Sequence, residues 1–219
     1  MTEDYNQQEG PTANTPSGYP VDEAIQAIKT DLRAAMNGVA AKSFRQSGTA
    51  YRLVYGVELP RLRSIAAEYK ADRRLALALW NDNIRETRML AVMLFPIEEF
   101  DADMADLWAE ALRRDEAELA GLLVMDLLAA APYASEKAFR WMADEREVLQ
   151  LCGFLLMTRL FMQGAELSQT AEAEFLDQAT ATLPTDYLPL RKAVTNALLR
   201  YGLTSPSAQN TTDKILLCT

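Results

Sequence analysis

Apolar residues recur along most of the chain three and four positions apart, which is the spacing of one face of an α-helix. The first such stripe runs from Val21 to Met36, and Asn37-Gly38 follows it as a stop signal. Pro60 lies where the first turn of a helix tolerates proline, and Pro96 and Pro132 close later apolar segments. Strand signals are weak throughout, so the pattern predicts that helix follows helix.

The predicted helices form pairs that recur about every 35 to 45 residues. This interval is typical of an α-solenoid, in which each pair buries its apolar face only against its neighbours. A compact, irregular helical bundle would give a similar pattern. Periodicity alone therefore predicts an all-α fold and leaves both architectures open.

Two segments, residues 121–131 and 149–162, are apolar nearly all round and are predicted to be central helices. Asp126 and Arg159 interrupt these runs, and we interpret them as charges at a helix edge or in an ion pair. Three tryptophans within amphipathic helices are predicted to anchor the core: Trp80, Trp108 and Trp141.

The length of 219 residues suits one folded domain, which we place at residues 21–203. Residues 1–20 are rich in Asn, Gln, Pro, Thr and Gly and are predicted to be a disordered amino-terminal tail. Residues 204–219 are read as a carboxy-terminal tail, although its Ile215–Leu217 segment is apolar enough to dock on the domain.

The chain contains no histidine, which excludes Ser-His and Cys-His mechanisms. Its two cysteines, Cys152 and Cys218, form no CxxC motif, so we expect neither a metal site nor a disulfide. Phosphate-binding and hydrolase motifs are absent, and we expect no cofactor. Without a leader or a membrane-spanning apolar run, the sequence predicts a cytoplasmic monomer with no membrane partner.

The net charge of -9 is unevenly distributed along the chain. Residues 29–95 contain twelve Lys and Arg against six acids, whereas residues 96–186 contain six against nineteen. Residues 187–219 return to an excess of +3. This distribution permits a basic patch on an acidic protein, although each single charge fits a solvated helix face better.

Three stretches carry more specific motifs: Tyr55-Gly56-Val57 leading into PRLRSIAAEY, then LALALWNDNIRETRMLAVMLF with Trp80, Glu86 and Arg88, then the last helix pair. In order and spacing they resemble the DNA alkylation repair (AlkD-like) HEAT-repeat family. The resemblance extends from about Asp22 to Gly202. It implies an α-α superhelix of HEAT-like helix pairs, a curved solenoid whose concave, basic face holds duplex DNA by its phosphates.

Active members of that family excise positively charged alkylated bases, and the resemblance implies where their catalytic residues should fall. The Asp position falls within residues 113–123, where Glu116 and Glu118 are the nearest carboxylates. The Arg position falls on Leu151, and the Trp position falls on Asn196. These departures predict a branch that keeps the scaffold and has abandoned or relocated the chemistry.

What remains for DNA binding is a set of basic and polar residues on candidate helices, and each of them is also compatible with a surface charge or an ion pair between repeats. The candidates are Lys42, Arg45, Arg85, Arg88, Gln150, Arg191 and Lys192.

Three functions stay open at this point. The first is a DNA-binding repair-like protein with weak or no base excision. The second is an active alkylpurine glycosylase that uses Glu116 or Glu118. The third is a non-enzymatic solenoid that binds a protein partner through the acidic stretch from Glu98 to Glu118.

Overall fold

The computed structural model describes residues 20–217. Residues 1–19, and with them nearly all of the predicted amino-terminal tail, lie outside the described part of the chain, as does Cys218. Within residues 20–217 the only strand-like pairing is an isolated bridge between Leu53 and Ile84. Every other regular element in this range is helical.

The helices, in chain order, are α1 (Val21–Ala34), α2 (Gly38–Gln46), α3 (Leu59–Ala66), α4 (Arg73–Trp80), α5 (Arg85–Leu94), α6 (Ala102–Glu110), α7 (Ala117–Leu123), α8 (Ala134–Met142), α9 (Glu147–Met162), α10 (Gln169–Thr182), α11 (Leu188–Gly202) and α12 (Pro206–Leu217). A short 3-10 helix, Ile97–Glu99, precedes α6, and a π-helical turn, Val124–Leu128, continues α7.

These helices fall into two compact units. The amino-terminal unit comprises residues 20–47 and 51–95, and the carboxy-terminal unit comprises residues 48–50 and 96–217.

Several helices begin where a side chain accepts a hydrogen bond from the first turn, as the sequence signals require. Asn37 caps α2 by accepting from the N–H groups of Val39 and Ala40. Asp72 caps α4 in the same way, and Pro60 lies in the first turn of α3 as predicted. Such caps satisfy N–H groups that a helix leaves without an internal partner, which fixes where each helix starts.

In the amino-terminal unit, α4 and α5 pack against each other, α1 packs on α4, and α3 packs on α5. Ile28 and Leu32 of α1 are fully buried, as are Leu79 of α4 and Leu90 of α5. Helix α5 is buried nearly all round, since nine of its ten residues are buried. It is therefore the central helix of this unit.

In the carboxy-terminal unit, α9 packs against both α8 and α11, which confirms the prediction that residues 149–162 are central. Gly153 of α9 permits the close approach to α8, because a Cβ atom at this position would lie 2.6 Å from the backbone nitrogen of Met142. The Cys152 thiol is fully buried here, and burial raises its pKa to about 12.

The predicted burial of the tryptophans is also confirmed, for Trp80, Trp108 and Trp141.

The stretch read from sequence as a carboxy-terminal tail contains a helix, α12, which packs against α11. Thr212 is buried and donates a hydrogen bond to the carbonyl oxygen of Leu198 at 3.1 Å, and Ala208 is also buried. Ser205 caps the helix by accepting from the N–H group of Ala208. The buried face consists of small residues, so it leaves little hydrophobic signal in the sequence.

Gly56 follows the isolated bridge and has a φ of 75°, in the left-handed region. A Cβ atom here would lie 2.5 Å from the carbonyl oxygen of Asn37 and 2.6 Å from the backbone nitrogen of Ala41. The segment before α3 can therefore approach the start of α2 only because residue 56 has no side chain.

Among residues 20–217, no helix is both long and apolar enough to cross a membrane.

We expect Gly56→Ala to lower the free energy of unfolding by about 3 kcal/mol, since it adds both backbone strain and a clash with fixed backbone atoms. Gly48→Ala is the matched control, because Gly48 has a φ of 80° and open space around its Cα. The control should cost about 1 kcal/mol, which is the strain alone. Urea unfolding of both variants measures the difference, and equal losses would contradict the close approach.

Candidate nucleic-acid interface

The carboxylate of Glu86, on α5, is completely buried and binds three consecutive backbone N–H groups. It accepts hydrogen bonds from Tyr55 at 3.0 Å, from Gly56 at 2.8 Å and from Val57 at 3.3 Å. These N–H groups belong to a segment outside any helix, so they have no partner in a helical ladder. Glu86 thereby fixes the Tyr55-Gly56-Val57 segment to the central helix of its unit.

Arg85 and Arg88, two of the candidate DNA contacts, are both buried, with 4% and 5% of their surface exposed. Nη1 of Arg85 donates to the carbonyl oxygen of Val57 at 3.1 Å and to Glu86 at 3.0 Å. The guanidinium of Arg85 lies 4.5 Å from the ring centroid of Phe44, and that of Arg88 lies 4.2 Å from the ring of Trp80. Burial leaves almost none of either guanidinium for a phosphate.

Lys42 and Arg45 have the opposite environment, because both are exposed on α2. They are three positions apart and so lie on neighbouring parts of the helix surface. Neither forms an ion pair with any residue in the range 20–217. Both charges are therefore available to an external anion.

The exposed surface of the amino-terminal unit is predominantly basic, with nine exposed Lys and Arg and five exposed Asp and Glu among the described residues. The exposed basic residues are Arg33, Lys42, Arg45, Arg52, Arg61, Arg63, Lys70, Arg73 and Arg74. The exposed acidic residues are Asp22, Glu23, Glu58, Glu68 and Asp72.

In the carboxy-terminal unit, the two carboxylates nearest to the family's Asp position differ in environment. Glu116 is 1% exposed; it accepts from the backbone N–H of Arg113 at 2.8 Å and lies 3.0 Å from that residue's guanidinium. Glu118, in the first turn of α7, is exposed. The Glu116 carboxylate is thus occupied within the fold.

Arg114 connects the start of α9 with the loop before α11. Its Nε lies 2.6 Å from Glu147, its Nη2 lies 2.8 Å from Asp186, and its guanidinium lies 4.6 Å from the ring centroid of Tyr187. Glu147 also accepts a hydrogen bond from the hydroxyl of Thr185 at 2.7 Å. The hydrogen bond from Arg114, followed by that from Thr185, holds the pKa of Glu147 below its ordinary value.

The cluster of Arg114, Glu147 and Asp186 was not predicted from the sequence. Its residues come from three distant segments, so no motif spacing indicates it. The other predicted DNA-binding residues of this unit are Arg191, Lys192 and Gln150. Arg191 donates to the carbonyl oxygen of Thr185, with Nε at 2.9 Å, and Lys192 is exposed beside it on α11. Gln150 of α9 donates to the carbonyl oxygen of Asp144 at 2.8 Å.

The two other positions that the resemblance assigns to catalysis hold no charged group. Leu151 is 2% exposed and belongs to the core, and Asn196 is exposed on α11. The carboxy-terminal unit therefore places an apolar side chain and an amide where the family pattern has an arginine and a tryptophan. No three side chains of metal-binding type cluster within residues 20–217.

The described part of the chain consists of packed helix pairs, and a buried glutamate holds the turn before α3. The first unit has a basic surface. These features define an all-α protein of the HEAT-like repeat class. The chain belongs to the DNA alkylation repair enzyme family, whose model matches residues 28–211. The predicted family and the predicted HEAT-like fold class are both confirmed.

One similar solved structure represents a new family of proteins related to the HEAT-like repeat DNA glycosylases, with affinity for branched DNA structures. It aligns with a TM-score of 0.69 and 17% sequence identity, over 87% of this chain and 80% of that chain. At this identity the likeness is evidence for the fold. A comparison with curated proteins gives no match.

We expect Glu86→Gln to lower the free energy of unfolding by about 3 kcal/mol, because the amide nitrogen would face backbone donors and Arg85 would lose its buried partner. Glu58→Gln is the control, since Glu58 is exposed in the same unit and its side chain caps no helix. Thermal and urea unfolding measure both effects. A Glu86→Gln protein as stable as the Glu58→Gln protein would show that the carboxylate does not hold the turn.

A second prediction concerns Glu147 and pH. A carboxyl group whose pKa is depressed by folding stabilises the folded state above its unfolded-state pKa, and this contribution is lost as the pH falls through the folded-state pKa. The relevant window lies below the ordinary glutamate value of 4.5. We expect Arg114→Gln to raise the pKa of Glu147 towards that value and so to reduce this stabilising contribution at neutral pH.

Carboxyl ¹³C NMR titration measures the pKa of Glu147 directly. Arg146→Gln is the matched control, because the hydrogen bond from Arg146 is the main cause that lowers the pKa of Asp144. The control should raise the pKa of Asp144 and leave that of Glu147 unchanged. If Arg114→Gln also leaves the pKa of Glu147 unchanged, Arg114 is not the partner of Glu147 in solution.

Proposed function

We propose that this chain binds DNA by phosphate contacts from its amino-terminal unit and has weak or no base-excision activity. The observation that carries the proposal is the exposure of Lys42 and Arg45 together on α2, with no carboxylate partner in the described part of the chain. Lys and Arg contacts to phosphate supply most of the sequence-independent affinity of proteins for duplex DNA.

The surrounding surface supports the same partner. The exposed residues of the amino-terminal unit are mainly cationic, although the whole chain carries a net charge of -9. Binding must then depend on this local excess and be sensitive to salt, because screening over about 10 Å at 0.1 M separates local from distant charges.

Family membership and the solved relative favour DNA over a protein partner. The family is that of DNA alkylation repair enzymes, and the relative comes from a family with affinity for branched DNA. In the carboxy-terminal unit, Lys192 is a further proposed phosphate contact, whereas Arg191 and Gln150 would have to release backbone carbonyl oxygens to contribute. Arg85 and Arg88 are left out of the proposed interface because they are buried.

Weak or absent base excision is supported by the three positions to which the resemblance assigns catalysis. Leu151 and Asn196 have no charge with which to hold a phosphate or to stabilise a developing positive charge. Glu116 is buried against Arg113, so its oxygens are not directed at an external sugar. Release of 7-methylguanine or 3-methyladenine from alkylated DNA, abolished by Glu118→Gln, would contradict this part of the proposal and assign the chemistry to Glu118.

We expect Lys42→Gln and Arg45→Gln each to reduce affinity for a linear duplex about fivefold at low salt, and each to reduce the slope of log affinity against log salt by about 0.9. Fluorescence anisotropy between about 50 and 200 mM NaCl measures both quantities.

Arg52→Gln is the matched control for these two variants, because Arg52 is exposed in the same unit but lies 3.2 Å from Asp82. Its salt slope should equal that of the wild type. Undetectable binding of the wild-type protein to DNA at low salt would refute the proposed function. A protein partner retained after nuclease treatment, together with that result, would favour the interaction-solenoid alternative.

A further inference from the structure

The turn between α1 and α2 presents two large apolar side chains to solvent. Met36 is 59% exposed and Val39 is 83% exposed. The other exposed large apolar residues of the amino-terminal unit, Leu53 and Leu59, are only 37% exposed. Exposure on this scale has a cost in water and indicates a contact surface when the surrounding residues also fit a partner.

The backbone that presents these side chains is held on both sides. Asn37, between them, donates its N–H to the carbonyl oxygen of Tyr55 at 3.0 Å, and its side chain accepts from the N–H groups of Val39 and Ala40 at 3.1 Å each. Gly56 packs directly against the carbonyl oxygen of Asn37. Met36 and Val39 are therefore fixed projections, attached to the turn that Glu86 anchors.

Basic side chains lie next to Met36 and Val39. Val39 and Lys42 are three positions apart on α2 and lie side by side on its surface, and Arg45 follows one turn further along. Arg33 is exposed in the last turn of α1, on the other side of the turn. No acidic residue occurs between residues 32 and 57. A partner must then offer anionic groups around an apolar face.

DNA offers that combination where its base stack is interrupted. In a continuous duplex the faces of the bases are stacked on one another, and only phosphates and groove edges are accessible. At a branch point whose arms are not stacked on one another, the terminal base pairs of the arms expose an apolar face, surrounded by phosphates. Proteins that bend or open DNA place Met, Leu, Ile or Phe side chains against such faces.

We propose that Met36 and Val39 contact the base faces exposed at a DNA branch point, while Arg33, Lys42 and Arg45 contact the adjoining phosphates. The inference rests on the proposed DNA binding and goes beyond it by naming the DNA structure that is preferred and the side chains that select it. Affinity for branched DNA in the solved relative agrees with this preference.

The test compares a four-way DNA junction with a linear duplex of matched sequence, by anisotropy at one salt concentration and without divalent cations, so that the arms of the junction stay unstacked. We expect the wild-type protein to bind the junction about tenfold more tightly than the duplex, and the double variant Met36→Ser, Val39→Ser to lose most of that ratio. Affinity of the double variant for the linear duplex should change less than about twofold, because no cation has been removed.

Leu107→Ser is the matched control, since Leu107 is 60% exposed on α6 of the other unit. It should retain the full junction preference, whereas Lys42→Gln should weaken binding to both DNA forms equally. An unchanged ratio in the Met36→Ser, Val39→Ser protein would overturn the inference while leaving DNA binding intact. A wild-type dimer that this variant abolishes in sedimentation would also overturn it, by assigning the apolar turn to a second copy of the chain.

Discussion

A single buried carboxylate, that of Glu86, determines how the amino-terminal unit is assembled. It accepts three backbone N–H groups from Tyr55 to Val57, and Arg85 balances its charge. Burying an ion is unfavourable unless hydrogen bonds and a counter-charge replace water, and both are present here. The turn held in this way contains Gly56, which packs on Asn37, and Asn37 caps α2. The position of the exposed cations on α2 therefore follows from a group that no DNA could reach.

The residues that identify the family are different from the residues to which the resemblance assigns activity. The motif residues that identify the chain, Trp80, Glu86 and Arg88 among them, are buried and make contacts within the fold. Selection for packing alone would preserve them. The resemblance assigns base excision to other positions, and two of these hold Leu151 and Asn196, which are neither charged nor aromatic. A confirmed family and a proposed loss of excision are thus compatible, because they rest on different residues.

The helices, the central α9 and the buried tryptophans could be predicted because they follow from apolar spacing, which is a local property of the sequence. Burial of Arg85 and Arg88 could not. Their spacing shows that they share a face, but whether that face meets solvent depends on Phe44, Val57 and Trp80. The cluster of Arg114, Glu147 and Asp186 was missed for a related reason, since its members are distant in sequence. Helix α12 was missed because its buried residues, Ala208 and Thr212, are small.

For the proposed DNA binding, the distribution of charge matters more than the net charge of the chain. In the carboxy-terminal unit, several basic side chains are committed to internal carboxylates: Lys137 and Arg140 to Asp106, Arg114 to Glu147 and Asp186, and Arg146 to Asp144. A cation in such a pair must give up its partner before it gains a phosphate, so much of the new interaction is offset. Lys42 and Arg45 form no ion pair within residues 20–217, so no carboxylate of this range has to be released. An acidic chain can therefore bind a polyanion when its unpaired cations are gathered on one rigid helix.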